Sequence, residues 1–148
     1  MKKFINILTQ IGLIIWQLPQ VLVALIMMPF LGKLRLVEYR DYCWAFEASN
    51  MSGGISLGCF IFLSKYSAKS KTTIAHEYGH TVDSKKMGIF YLFFIGLPSI
   101  CWAAFKPKNK CYYTFYTEQL ANKHAGLGVD TLCRLYFLDK EDYKKKER

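Results

Sequence analysis

Residues 76–80 read His76-Glu77-Tyr78-Gly79-His80. On a helix, positions i and i+4 share a face, so the two imidazoles can direct nitrogens at one divalent cation such as Zn²⁺. Glu77 then stands beside that cation, where a carboxylate can take a proton from a water. With only 3 His in 148 residues, this spacing seldom arises by chance. The flanks agree with a helix through the motif. Lys71-Thr72-Thr73-Ile74-Ala75 precedes it with Thr72 or Thr73 as N-cap, and Gly88 is a stop signal after Thr81 to Met87.

Two imidazoles leave a catalytic zinc site incomplete. A third protein ligand is needed, with the fourth position left for water. The one other histidine is His124. The stretch Tyr116 to His124 also carries Glu118 and Asn122 at i, i+4, again on one helical face. With these residues the chain resembles the gluzincin branch of the zinc metallopeptidases. There the H-E-x-x-H motif supplies two ligands, a Glu on a later helix supplies the third, and an acidic residue four positions on orients a ligand His. The resemblance implies His76, His80 and Glu118 as ligands, Glu77 as general base and Asn122 as the orienting residue. The departure is Asn in place of a carboxylate. Its amide oxygen can accept an imidazole N–H but adds no negative charge. His124 stays open as an alternative third ligand, although six residues from Glu118 it falls on another face.

Gly53 to Leu63, H-E-Y-G-H, Leu92 to Ser99 and Tyr-Thr-Glu-x-x-Ala-Asn together are similar to a group of small bacterial membrane-associated zinc peptidases. The similarity covers most of the chain. It implies hydrolysis of a peptide or protein substrate without naming one. It also implies that Gly58, Cys59, Phe60, Ile61 and Phe62, on the strand before the active-site helix, can pair with an extended peptide. An ordinary core strand is the equal alternative. A tetrahedral oxyanion needs a further donor; Tyr112, Tyr113, Tyr116 and His124 are the candidates.

Phe4 to Phe30 carries no charge and, at about 1.5 Å per residue, is long enough for a bilayer of about 30 Å. It is too long for a signal-peptide core, and residues 1–32 therefore read as a membrane anchor. Pro19 should kink it or turn it into a hairpin. Gln10, Gln17 and Gln20 recur at helical spacing, a stripe suited to interhelical packing. Residues 33–148 read as one peptidase domain of α+β class, with a short sheet and active-site helices. Ile89 to Phe105 is a second apolar segment that separates the motif from Glu118. A full crossing would put the third ligand across the membrane, so a re-entrant hairpin turning near Pro98 is expected, with an interfacial helix pair or a core element of the peptidase domain as alternatives. Ile55, Leu57, Cys59, Ile61 and Leu63 alternate with their neighbours and read as one strand. Asp139 to Arg148 reads as a charged, solvated tail.

The net charge of +9 suits nucleic acid or an anionic membrane. The apolar segments and the absence of a nucleic-acid motif favour membrane lipid. If residues 89–105 form a hairpin, every Lys and Arg except Lys2 and Lys3 lies on one side, which the positive-inside rule makes cytoplasmic. Five Cys without a CxxC pair read as small buried hydrophobes rather than a disulfide framework. Two other functions remain in view. One is a metal-binding membrane interaction protein that cuts nothing, against which Glu77 argues. The other is an intramembrane site-2-type protease with a distant Asp ligand, against which the polar stretch Ser64 to Thr73 argues.

Overall fold

The computed structural model describes residues 2–130 and 132–134; the tail from Asp139 lies outside them. Helices α1 (Lys2–Trp16) and α2 (Leu18–Met27) come first. Strands β1 (Leu34–Arg40), β2 (Cys43–Ala48), β3 (Gly54–Leu57) and β4 (Phe60–Leu63) follow. Helices α3 (Lys71–Met87), α4 (Leu97–Phe105) and α5 (Tyr116–His124) complete an α+β arrangement.

The strand order is β1-β2-β4-β3. β1 and β2 are antiparallel, β2 and β4 parallel, and β4 and β3 antiparallel. The β1–β2 turn puts Asp41 and Tyr42 at φ 52° and 62°, the left-handed backbone that tight hairpins require. Residues 55–63, expected as one strand, are a hairpin whose two-residue turn is Gly58-Cys59. Gly58 has φ +64°, a backbone that favours glycine, and an added Cβ would make a tight 3.1 Å contact with Val21 Cγ2. The expected peptide-pairing strand is corrected by this topology. Gly58 and Cys59 are in the turn, while Phe60, Ile61 and Phe62 lie between β2 and β3 with both backbone edges engaged. The free edge at this end of the sheet belongs to β3.

The sheet is covered on two sides, as period-two alternation demands when both faces are apolar. Ile61 and Leu63 pack in one buried cluster with Tyr78 of α3. Phe62 packs in another with Ala24 of α2 and Leu31. One face of α2, with Leu31 after it, therefore belongs to the core. The N-terminal segment does not form one span. The pair Ile5–Trp16 and Leu18–Phe30 bends by 85°, and no single helix among the described residues is long and apolar enough to cross a membrane. Pro19 sits at the start of α2, where its missing N–H costs little but the preceding helix cannot continue. The glutamine stripe packs inward. Gln20 Nε2 donates to Gly88 O at 2.6 Å, and Ser84 Oγ of α3 donates to Gln17 Oε1 at 2.7 Å. Gln10 Nε2 reaches Tyr42 O at 3.2 Å.

The expected hairpin over 89–105 is not formed. A 3₁₀ turn (Gly88–Phe90) and a π turn (Leu92–Gly96) run into α4, so that Leu92–Phe105 is one apolar helix. Pro98 lies inside this helix, directly after the π turn, whose altered hydrogen-bond pattern accommodates its missing N–H, and so does not reverse the chain. At about 1.5 Å per residue this helix reaches roughly 20 Å, short of a bilayer core. The cysteine expectation is also corrected. Cys111 and Cys133 form a disulfide with Cα atoms 5.5 Å apart, closing a loop around α5. Cys43 and Cys59 are buried free thiols as expected, and Cys101 is free and exposed.

Candidate metal centre

Helix α3 opens at Ser70, whose side chain accepts from Thr73 N at 3.2 Å, rather than at Thr72 or Thr73. It closes at Gly88, φ 54°. From His76 to Thr81 every residue is buried, polar ones included. A helix that buries His, Glu, His and Thr together needs polar partners for them. Helix α5 supplies several. The two helices approach closely at Gly79, where an added Cβ would lie 2.0 Å from Ala121 O. Glycine inside a helix costs about 1 kcal/mol against alanine, and here it lets the α5 backbone come close enough for Glu118 to reach the histidines.

His76 Nε2 lies 3.1 Å and His80 Nε2 3.5 Å from Glu118 Oε2. One ligand atom from each of the three residues falls within 4.8 Å of the others, and all three residues are buried. This group could hold a metal ion. Asn122 Oδ1 accepts from His76 Nδ1 at 2.6 Å, which turns Nε2 toward Glu118. The ring of Tyr113 meets that of His76 edge-on at 5.4 Å. His80 Nδ1 has no hydrogen-bond partner among the described residues.

The electrostatics favour a cation. Burial alone would lift the Glu118 carboxyl, but hydrogen bonds from His76, His80 and Ser99 hold it well below the usual carboxylate range. Burial works against a charged His76, yet its hydrogen bond to Glu118 and the nearby Glu77 charge outweigh that and raise its pKa. The site is arranged for positive charge beside an ionised carboxylate.

Glu77 is the neighbouring acid. Ser56 Oγ of β3 lies 2.7 Å from Glu77 Oε2 and 2.9 Å from Glu77 O. Gly54 leaves room for the carboxylate, since a Cβ there would sit 2.3 Å from Glu77 Oε1. Glu77 and His80 line one cavity of about 360 Å³ together with β3, α2 and the 91–103 segment. Tyr112 lines it too, and burial pushes its hydroxyl pKa well up, so the hydroxyl stays protonated.

Two expected residues lie elsewhere. His124 Nε2 pairs with Asp83 Oδ1 at 2.9 Å and borders a separate cavity with Arg40 and Lys85, apart from the His76, His80 and Glu118 group. The cause is its spacing from Glu118, which puts it on another face of α5. Tyr116 donates to Phe94 O at 2.6 Å and faces away from the Glu77 cavity. Ser56 and Ser99 escaped the sequence reading. Ser99 Oγ donates to Glu118 Oε1 at 2.5 Å, and Thr117 Oγ1 approaches the same oxygen at 3.1 Å. The one available signal for Ser99 was a hydroxyl inside an otherwise apolar segment. No protein-family model, no curated protein and no solved structure matches this chain.

Proposed function

We propose that this protein is a membrane-associated zinc metallopeptidase of zincin-like architecture, cleaving peptide bonds with Glu77 as general base. One observation carries the reading: His76, His80 and Glu118 converge, and Glu77 lines a cavity together with His80. Zinc suits the donor set. Ligand bonds of about 2.0–2.1 Å in a tetrahedron put donor atoms roughly 3.3 Å apart, and the two separations to Glu118 Oε2 are 3.1 and 3.5 Å. Bound zinc supplies a Lewis acid that acidifies a water and polarises the scissile carbonyl.

The chain's own groups do the rest. Asn122 orients His76 through Nδ1. Ser56 holds the Glu77 carboxylate at Oε2, so its other oxygen is available to the attacking water. Glu77 takes that water's proton and passes it to the leaving amine. Tyr112, protonated and on the cavity wall, donates to the developing oxyanion in place of Tyr116 or His124. The free edge of β3 offers backbone groups to an extended peptide, the role first expected of Gly58 to Phe62.

Exposed apolar faces on α1, α2 and α4 support attachment to a bilayer surface. The positive-inside count pointed to the cytoplasmic face, but that rule concerns loops flanking complete spans. The Cys111–Cys133 disulfide favours an oxidising compartment, and we place the catalytic domain there.

The test is Glu77→Gln. The variant should keep about one zinc per chain, because the ligands are intact, and lose hydrolysis of a fluorogenic peptide library, because an amide cannot accept the proton. A Glu77→Gln protein that cleaves like wild type removes the reading. Zinc retained after His76→Ala plus His80→Ala would remove the metal assignment.

A further inference from the structure

The cavity beside Glu77 has two unlike sides. One is polar: Glu77, His80, Ser99 and Tyr112. The other is built by Val23 and Met27 of α2 and by Leu92, Phe93, Leu97 and Ile100. Three of these wall residues are also exposed: Phe93 at 69%, Leu97 at 53% and Ile100 at 53%. The inner wall of the cavity and the outer surface are therefore one continuous apolar sheet of side chains.

That surface extends well beyond the cavity. α2 exposes Leu22, Leu25 and Ile26, with Phe30 just after it; Phe90, Phe94 and Phe105 continue it along the second segment. Contiguous exposed apolar patches above a few hundred Å² are rare on soluble monomers and mark a docking surface. Charge identifies the occupant. Lys33 follows α2, and Lys108 and Lys110 follow α4, all exposed on a chain of net charge +9. Lysines bordering apolar faces match an anionic lipid surface. The helices are too short to span singly, and the first pair is bent by 85°, a shape suited to lying along an interface.

We propose that the active-site cavity opens at the lipid interface, between α2 and the 92–103 helix, and that its substrates are apolar peptide segments already lying in the membrane. This rests on the metallopeptidase reading and adds the substrate class and its route. A peptide partitioned into the interface slides an apolar side chain past Phe93, Leu97 and Ile100 and brings its backbone to β3 and Glu77. A soluble polar peptide lacks both the local concentration and the matching wall.

The experiment uses the full-length, zinc-loaded protein with vesicles of phosphatidylglycerol and phosphatidylcholine. Two peptides share one cleavable apolar core, and one carries an N-terminal acyl chain that holds it to the bilayer. The vesicle-bound peptide should be cleaved at least roughly tenfold faster, from shared effective concentration on one surface. Leu22→Glu plus Ile26→Glu, on residues outside the cavity wall, should abolish co-sedimentation with vesicles and remove that gain while cleavage of the soluble peptide persists. Equal rates for the two peptides, or a gain that survives loss of vesicle binding, overturns the proposal. A fluorophore on exposed Cys101 reads the geometry without activity. Lipid-borne quenchers should quench it in the wild type, and an unquenched fluorophore overturns the proposal even if peptides are cut. Quenching with no cleavage of any peptide would leave the interfacial opening standing and remove the peptidase reading, and with it the substrate class.

Discussion

Replacing Asn122 by Ala removes the hydrogen bond that fixes His76 at Nδ1. The amide is fully buried, with Oδ1 2.6 Å from His76 Nδ1. Without it a buried N–H loses its acceptor, at a cost of about 1–3 kcal/mol. The imidazole escapes that cost by moving its proton to Nε2 or by rotating, and either change takes the Nε2 lone pair away from the metal position. Loss of such an orienting partner lowers metal affinity roughly ten- to a hundredfold, or about 1.4–2.7 kcal/mol. Competition against a chromophoric chelator in zinc-buffered solution measures the change, with far-ultraviolet circular dichroism as the folding control. Asn122→Asp restores the acceptor and adds charge, so its affinity should equal or exceed wild type. A folded Asn122→Ala protein with wild-type zinc affinity would refute the orienting role. An Asn122→Asp variant as weak as Asn122→Ala would show that shape, not hydrogen bonding, is what the position supplies.

Gly79→Ala should separate α3 from α5, because its Cβ would fall 2.0 Å from Ala121 O; we expect loss of about 1–3 kcal/mol of stability and of bound metal, read by thermal unfolding and zinc content. Gln20→Ala should cost about 1–3 kcal/mol, since it strips a buried partner from Gly88 O and Ser84; an unchanged unfolding midpoint would show that the α2–α3 network is dispensable. In the folded protein at pH 8, maleimide should modify Cys101 alone. Burial raises the Cys43 thiol and pushes Cys59 up to about 12, so both stay protonated and covered, and mass spectrometry of digested protein identifies the adduct.

The residues of the candidate metal centre were legible because their geometry is local. His76 and His80 are one turn apart on one helix, and Glu118 and Asn122 repeat that spacing on another, so only the meeting of two helices had to be supplied. The hairpin at Gly58-Cys59 was hidden by parity. A two-residue turn preserves the alternation, so Ile55 and Leu57 run in phase with Ile61 and Leu63 as if the strand were unbroken. Pro98 misled for a different reason: a π turn just before it lets the helix run on past a residue that ordinarily breaks one. The 111–133 disulfide joins residues on either side of α5, and five cysteines carry no mark of which pair will meet. Ser56 and Ser99 are ordinary serines until the fold sets them against Glu77 and Glu118.

That disulfide encloses Glu118 and Asn122 but neither His76 nor His80. The two halves of the candidate metal centre thus belong to differently constrained stretches of chain. Closing the loop removes conformational freedom from the half that delivers the carboxylate, so capture of an ion there would be thermodynamically linked to thiol oxidation. Linkage is reciprocal: whatever factor the crosslink added to metal affinity, a bound ion would return as resistance of the crosslink to reduction. On the proposed reading the centre and the cystine are two ligand-like equilibria that would report on each other.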